Sequence, residues 1–383
     1  MAARPVDKGR ELNPWPGILI RLLPWGLGAA ALVWVATGIS ANVQQHRVLG
    51  ELAQERLESS ESGDDFSLSS LHKRTPPEGI HRIQKYIELF QNGQRRRLID
   101  GLGRSTRYME GFRKIFRDKS LPVELTYLPL IESGYVATAV SPAQAAGIWQ
   151  FIEDTGRRYN LERTPWSDQR MDPMASARAA ASLLGHLYKR FGNWEHALAA
   201  YNSGARTVEW AIKVNKKAGK PTHFWALDLP EETQNYVPNF LAVVLIAKNP
   251  DAFGFTEIQY QPRLAYDLIK VSPGTYLHEL ATRLDISQNK LWELNPTLVL
   301  GQVPPGETPQ SIRIPDGLRD LIPAKVAEYK GRLKDWVLHR VSRDDTVDTL
   351  ASRFRSKSER ILQLNRLDGD EDLIQREFVI IPL

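Results

Sequence analysis

The 383-residue sequence contains no cysteine. Disulfide bonds, cysteine-ligated zinc, a catalytic thiol and a cysteine-linked lipid anchor are therefore excluded for this chain. Its eight histidines are scattered and show no His-Glu-x-x-His pattern, so the sequence predicts no metal site. The stretch Gly101–Gly111 has Thr106 where a dinucleotide-binding fingerprint needs its third glycine. We therefore expect a function that requires no cofactor.

Charge of either sign is not concentrated along the chain. Lysine and arginine number 50 against 45 acidic residues, which gives a formal net charge of +5. An excess this small does not by itself indicate nucleic-acid binding, and we predict no nucleic-acid partner. The triplet 95–97, three arginines, predicts a solvated helix face, with contact to an anionic lipid or wall polymer as the alternative.

An uncharged run of 22 residues, 22–43, follows four basic residues at the N-terminus. A membrane-spanning helix needs about 20 apolar residues, and the basic flank predicts a cytoplasmic N-terminus with the remainder exported. The alternative is a cleaved signal peptide, whose apolar core is usually about 7–15 residues long. We expect a single-pass membrane anchor, followed by a polar linker over 44–78.

From Ile80 to about Ile246 the apolar residues recur at helical spacing. Asp172 followed by Pro173 is typical of an N-cap and a first helical turn, and Gly192 stands where that helix should end. No long alternation of β-branched residues interrupts the region. The sequence therefore predicts an all-α domain here.

The C-terminal tail contains an internal repeat. The segments at about 268–315 and 337–382 each predict a short strand, a turn, two helices of which the second ends in Leu-Asn, and a strand ending in Ile-Pro. A basic segment joins the two copies and predicts a linker helix. The expected fold class is therefore α+β, with an all-α domain followed by two small βααβ modules.

Glu132 is the only acidic residue between Leu128 and Phe151. A carboxyl group among apolar side chains has its charged form disfavoured, so its pKa rises toward that of a general acid at neutral pH. Pro129 and the pair Ser133-Gly134 predict that Glu132 lies at a helix end, where a side chain can face a cleft. A buried glutamate paired with an arginine or with backbone amides remains the alternative on chemical grounds.

Three stretches resemble motifs of the soluble-type lytic transglycosylases, in the order found in that family. They are LPVELTYLPLIESGY with AVSPAQAAGIWQFIEDTGRRYNL, then ALAAYNSG, then PEETQNYVP. The resemblance covers about 80–250 and is closest to the membrane-bound D type, which also carries C-terminal LysM repeats similar to the two tail copies. Members of that type are often lipoproteins, and a chain without cysteine departs from them.

The resemblance implies a lysozyme-like catalytic domain whose partner is the glycan strand of peptidoglycan, in the periplasm at the inner membrane. It implies that Glu132 is the sole catalytic acid and base, and that the bond between N-acetylmuramic acid and N-acetylglucosamine is cleaved with closure of a 1,6-anhydro ring. The substrate-binding residues implied by the motif positions are Ser141, Gln150, Tyr201, Asn202 and Tyr236.

Two other functions are left open by the residues. A hydrolytic muramidase needs a second carboxyl group across the cleft, and the nearby acids Glu124, Glu153 and Asp154 are expected instead to be solvated surface groups. A non-catalytic peptidoglycan-binding scaffold is the other alternative. In the second tail copy Asp344-Asp345 replaces the Gly-Asp expected of LysM turns, which predicts strain if that turn requires a positive φ.

These expectations define the following organisation: cytoplasmic segment 1–21, anchor or signal peptide 22–43, linker 44–78, lysozyme-like domain 79–260, first LysM-like module 264–316, linker helix 317–335 and second LysM-like module 336–383.

Overall fold

The computed structural model describes residues 75–319 and 336–383. The predicted anchor 22–43 and nearly all of the predicted linker helix 317–335 lie outside the described residues. Within the described ranges, the structure contains no helix with the length and apolar character needed to span a bilayer.

The first part of the described chain is helical, as predicted. Its α-helices are α1 Pro77–Asn92, α2 Arg95–Ser105, α3 Met109–Asp118, α4 Leu128–Glu132, α5 Glu153–Arg158, α6 Pro173–Phe191, α7 Trp194–Ser203, α8 Ala205–Lys217 and α9 Glu231–Lys248. Short 3₁₀ turns span Val123–Tyr127, Gln169–Met171, Phe224–Ala226 and Pro250–Phe253.

The predicted limits of α6 are confirmed. The Asp172 carboxylate accepts hydrogen bonds from the amides of Met174 and Ala175, which satisfies two donors of the first turn. The helix ends at Gly192, whose φ of 62° is left-handed and therefore suits a residue without a Cβ. The next residue, Asn193, caps α7 by accepting from the amide of His196, also as predicted.

Helix α9 forms the centre of the helical core. It packs against α1 on one side and α7 on another, and it is buried nearly all round, with Val237, Phe240 and Val243 fully inaccessible to solvent. A helix that is apolar on every face is stable in water only where neighbouring helices cover it. Tyr236, one of the predicted substrate-binding residues, is held near the N-terminal end of this packed helix.

The repeat predicted in the tail is present as two modules with the same strand pairing and the same first two helices, and the second module has an additional one-turn helix. In the first, strands β1 Tyr266–Val271 and β2 Gln310–Pro315 pair antiparallel around helices α10 Leu277–Leu284 and α11 Gln288–Leu294. In the second, β3 Trp336–Arg340 and β4 Phe378–Pro382 pair antiparallel around α12 Val347–Phe354, α13 Ser358–Asn365 and α14 Asp370–Leu373.

One asparagine in each module forms the same pair of hydrogen bonds with the last strand. Asn295 donates to the carbonyl of Arg313 and accepts from its amide, at 2.7 and 2.8 Å. Asn365 makes the equivalent pair with Ile380, both at 2.7 Å. Each asparagine therefore fastens the end of the second helix to the last strand, which explains why Leu-Asn recurs in the repeat.

The turns after the first strands differ between the modules. Gly274 has φ of 77°, in the left-handed region. Asp344, its counterpart in the second module, is not among the residues with positive φ, so the strain predicted there is absent. The neighbouring Asp345 is instead buried, and its carboxylate accepts from the amide of Ser342 and bonds to the imidazole of His339.

Both modules contact the helical domain directly. Arg313 of the first module pairs with Asp172 at 2.5 Å, so the residue that caps α6 also holds β2. Glu377 of the second module pairs with Arg163 at 2.5 Å. The rings of Trp166 and Trp336 meet edge to face, with centroids 4.9 Å apart.

Candidate active site

Glu132 is the last residue of helix α4, as its flanking residues predicted. Pro122 precedes a 3₁₀ turn, and Pro129 occupies the first turn of α4, where its missing amide proton leaves no intrahelical bond unmade. Gly134, with φ of 60°, reverses the chain directly afterwards. The short helix therefore ends with the Glu132 side chain half-buried at the wall of a cleft.

Among the described residues, the Glu132 carboxyl group has one hydrogen-bond donor, the hydroxyl of Tyr236, which lies 2.5 Å from Oε1. Burial raises the pKa of Glu132 to about 7, and the negative charge of Glu232 acts in the same direction. The hydrogen bond from Tyr236 opposes both effects because it stabilises the carboxylate. The group is thus poised to be substantially protonated at neutral pH.

The cleft beside Glu132 encloses about 420 Å³. Of the predicted site residues, Asn202 and Tyr236 line this cleft together with Glu132. Sequence reasoning missed the other polar groups that line it, which are Tyr86, Glu231, Glu232, Asn235 and Asn239. The structure thus brings together the catalytic candidate and residues of the second and third motifs.

Glu232 is the most informative of the missed residues. Its Oε1 accepts a 3.0 Å hydrogen bond from Asn202 Nδ2, and Asn202 Oδ1 accepts from the Thr233 hydroxyl at 2.8 Å. One turn of α9 separates Glu232 from Tyr236, so the i, i+4 spacing within the third motif places both on one helix face. That spacing was the signal by which Glu232 could have been found.

Tyr201 lies behind the cleft wall rather than on its surface. Its hydroxyl donates to the carbonyl oxygen of Trp149 at 2.8 Å. Burial raises the pKa of Tyr201 well above its usual value, and the charge of Glu132 adds to the effect. Tyr201 therefore holds the loop after Glu132 in place, close enough to Glu132 to feel its charge.

Ser141 and Gln150 lie apart from the residues that line the Glu132 cleft. The Ser141 hydroxyl accepts from the amide of Ala145, and the residue lines a separate cavity of about 790 Å³. Gln150 turns its amide nitrogen inward, to the carbonyls of Gly147 and Ala139 at 2.8 and 3.3 Å. The structure gives Gln150 a part in shaping the loop.

The three acids weighed as a second carboxylate do not line the cleft. Glu153 and Asp154 are surface groups, paired with Arg163 and Arg157 respectively. Glu124 is not the freely solvated group we expected, because its side chain is only 13% exposed and pairs with Lys248 at 2.7 Å. Within the described ranges, no cluster of three or more His, Asp or Glu side chains is arranged to hold a metal ion.

Comparison with known proteins matches two domain families to this chain. The family described as Transglycosylase SLT domain matches residues 112–224, which include Glu132, Tyr201 and Asn202. The family described as LysM domain matches residues 339–375, within the second tail module.

Two curated relatives carry the same name, Membrane-bound lytic murein transglycosylase D. The proteins from Escherichia coli (strain K12) and from Escherichia coli O6:H1 (strain CFT073) are each 35% identical over 280 residues, which is 70% of this chain and 62% of the relative. The chain therefore spans somewhat less than two thirds of the length of these relatives. A protein of Alteromonas sp. (strain M-1), named for tributyltin chloride resistance, is 40% identical over 107 residues, or 28% of this chain and 52% of that protein.

These matches agree with the fold and with the position of the cleft. The resemblance predicted from the three sequence motifs is confirmed: residues 112–224 match the transglycosylase SLT domain, residues 339–375 match the LysM domain, and the chain is similar to membrane-bound lytic murein transglycosylase D.

Proposed function

We propose that this protein is a peptidoglycan lytic transglycosylase that uses Glu132 as its acid and base. The observation that supports the proposal best is the state of Glu132, a half-buried carboxyl with a pKa near 7 and a single hydrogen-bond donor, Tyr236. A carboxyl group with this pKa is partly protonated at neutral pH and can both give up a proton and take one back, which suits general acid and base catalysis.

In the first step Glu132 donates its proton to the glycosidic oxygen between N-acetylmuramic acid and N-acetylglucosamine. The bond from that oxygen to the muramyl C1 breaks, and the N-acetylglucosamine leaves with a free hydroxyl. In the second step the Glu132 carboxylate removes the proton of the muramyl C6 hydroxyl, and O6 closes on C1. Glu132 ends protonated as it began, and no water is consumed.

One carboxyl group can act as both acid and base because the attacking C6 hydroxyl is already close to C1. The attacking hydroxyl belongs to the same sugar, so no separate water needs to be positioned. Tyr236 orients the carboxyl group and stabilises it when it is charged, between the two steps. Asn202 lines the cleft with its amide fixed by Glu232 and Thr233, so it presents a preorganised polar group to the saccharide.

The wider setting follows from the same resemblance. We propose that the LysM-type modules bind peptidoglycan glycan strands, that the enzyme works in the periplasm, and that a single-pass helix at 22–43 anchors it in the inner membrane. Ser141 is assigned to the wall of the glycan-binding region, and Tyr201 and Gln150 to the support of the loop that forms that wall. The proposed domain limits are those given by the sequence, including 79–260 for the catalytic domain.

The test is digestion of purified murein by the full-length chain, with mass spectrometry of the products. We expect muropeptides one water lighter than hydrolytic products. Glu132→Gln keeps the size of the side chain but removes the titratable proton, so turnover should fall by about 10²-fold or more while murein binding is retained. Asp154→Asn, a change at an exposed carboxylate outside the cleft, is the matched control and should leave turnover unchanged.

A hydrolytic muramidase is the second candidate, and Glu232 is the observation that favours it. Glu232 places a second carboxylate in the cleft that holds Glu132, and two carboxylates are what glycoside hydrolysis usually uses. Reducing-end products that depend on both Glu132 and Glu232 would establish hydrolysis in place of the lytic reaction. Retained murein binding without products of either kind would identify a binding scaffold.

A further inference from the structure

Three arginines line a cavity of about 1040 Å³ between the helical domain and the two tail modules, and none of them pairs with a carboxylate of the described residues. They are Arg104 from α2, Arg366 at the end of α13 and Arg376 just before β4. Arg104 and Arg376 are half-buried, whereas Arg366 is exposed. Most other buried or half-buried arginines of the described residues have acidic partners, as Arg170 and Arg313 have. The three therefore call for an explanation.

The contacts of two of them are neutral. Arg104 donates from Nε to the carbonyl oxygen of Gly134 at 2.7 Å. Arg366 donates to the amide oxygen of Asn289 at 3.0 Å and lies over the Trp292 ring at 5.0 Å from its centroid. Both contacts orient a guanidinium group without neutralising it, as in sites where arginine recognises a carboxylate.

Arg376 is the arginine whose charged form is least favoured by its surroundings. Burial lowers the pKa of Arg376, Asp372 offsets that effect, and the positive charge of Arg366 lowers the pKa further. Burial also lowers the pKa of Arg104. A partly desolvated cation that forms no direct ion pair is unfavourable, and a bound anion would reduce that cost.

The other charged groups around the cavity do not fully balance the positive charge of the arginines. Arg107 is neutralised by its ion pair with Glu293. Asp368 and Asp372 also face the cavity, and the negative charge of Asp372 partly offsets the effect of burial on the pKa of Arg376. With these acids counted, four arginines face three carboxylates, which leaves room for one further negative group.

The cavity continues toward the glycan-binding region. It shares Thr138, Val140 and Arg376 with the 790 Å³ cavity that Ser141 lines. Under the proposed function Ser141 belongs to the wall of the glycan-binding region, and the muramyl sugars of a bound glycan carry the acidic peptide stems of peptidoglycan. The peptide stem of a bound glycan would therefore lie at the opening of the arginine-lined cavity.

We infer that this interdomain cavity binds the peptide stem of the substrate, with Arg376 and Arg366 receiving a stem carboxylate. The inference rests on the proposed function. It makes the second tail module part of the substrate-binding surface of the catalytic domain, in addition to any affinity it has for the wall. Stem-bearing glycan should therefore be a better substrate than glycan from which the stems have been removed.

The test compares two substrates for the full-length chain: soluble murein glycan with its stems, and the same strands after the stems are cut off by an amidase. Arg376→Gln removes the charge, and the Arg376 side chain makes no hydrogen bond or ion pair with the described residues that the change would break. We expect it to lower kcat/KM about tenfold on stem-bearing strands, the usual scale for one charge-assisted contact, and to leave stem-free strands unaffected. Arg376→Lys should recover part of the loss.

Arg360→Gln is the matched control, because Arg360 is an exposed arginine of the same module that does not line the cavity. It should behave as the wild type on both substrates. Equal effects of Arg376→Gln on both substrates, or no effect on either, would overturn the inference while the proposed function stands. A wild-type protein that cleaves neither substrate would overturn the proposed function itself.

Discussion

The hydroxyl of Tyr236 donates a 2.5 Å hydrogen bond to Oε1 of Glu132, across 104 positions of sequence. The bond joins the end of the short helix α4 to the buried helix α9, so both partners are fixed by the core of the domain. It stabilises the charged carboxyl group and therefore opposes the burial that raises the pKa of Glu132.

Tyr236→Phe removes this donor and should raise the pKa of Glu132 above its present value near 7. If the protonated acid starts the reaction, activity falls as pH rises through that pKa, so the variant should lose activity at a higher pH than the wild type does. Turnover at the optimum should fall about tenfold because the carboxyl group is less well oriented. The measurement is kcat/KM against pH, and an unchanged alkaline limb would contradict the assignment.

Glu232→Gln should shift the alkaline limb of the profile of kcat/KM against pH to a lower pH. The negative charge of Glu232 raises the pKa of Glu132, so neutralising it lowers that pKa and the loss of activity begins at a lower pH. The glutamine oxygen can still accept from Asn202, which preserves the local geometry. Glu231→Gln is the control, since Glu231 lines the same cleft but its charge acts on Tyr86. A limb that moves equally in both variants would mean that Glu232 has no specific effect.

The features that could be predicted from sequence are those set by neighbours along the chain. Asp172, Gly192 and Asn193 define helix ends through bonds that span three or four residues, and their side-chain chemistry alone indicates them. The position of Glu132 at a helix end is of the same kind, because Pro129 and Gly134 are its near neighbours.

The features that could not be predicted depend on packing between distant segments. Tyr236 was placed in the site by the motif match and not by chemistry alone. The spacing of Glu232 from Tyr236 is visible in the sequence, but its contact with Asn202 depends on how α9 packs against α7. Gln150 was expected to face the groove, whereas its φ of 49° turns the amide toward the carbonyls of its own loop. The expected strain at Asp344 failed for a similar reason: the turn takes another backbone conformation, with Asp345 buried beneath it.

Gly147→Ala should strongly destabilise the helical domain. Gly147 has φ of 81°, and a Cβ at this position would overlap the carbonyl oxygen of Arg170. The strain and the overlap together should cost about 3 kcal/mol or more. Gly192→Ala is the matched control, because its φ of 62° is also left-handed but the space beside it is open, so it should cost only about 1 kcal/mol. Urea denaturation of both variants measures the difference, and similar losses would contradict the close approach at Gly147.

Asp345 should make the stability of the second module fall in acid. Burial acts to raise the pKa of Asp345, but hydrogen bonds from His339 and Ser342 outweigh it and lower the pKa to about 2. An unfolded aspartate titrates near about 3.9. Because the folded pKa is the lower one, the carboxylate stabilises the module fully above about pH 4 and loses that contribution as pH falls toward 2.

Asp345→Asn should therefore weaken the module at pH 7, by on the order of 2 kcal/mol, and make its stability nearly independent of pH between about 4 and 2. Hydrogen exchange of the amides in α12 and β4 reports on this module without interference from the rest of the chain. Asp344→Asn is the control: Asp344 is the exposed neighbour in the same turn, and its variant should keep the acid sensitivity of the wild type. If Asp345→Asn keeps that sensitivity as well, another group controls the acid response, and the buried Asp345–His339 contact does not hold this turn.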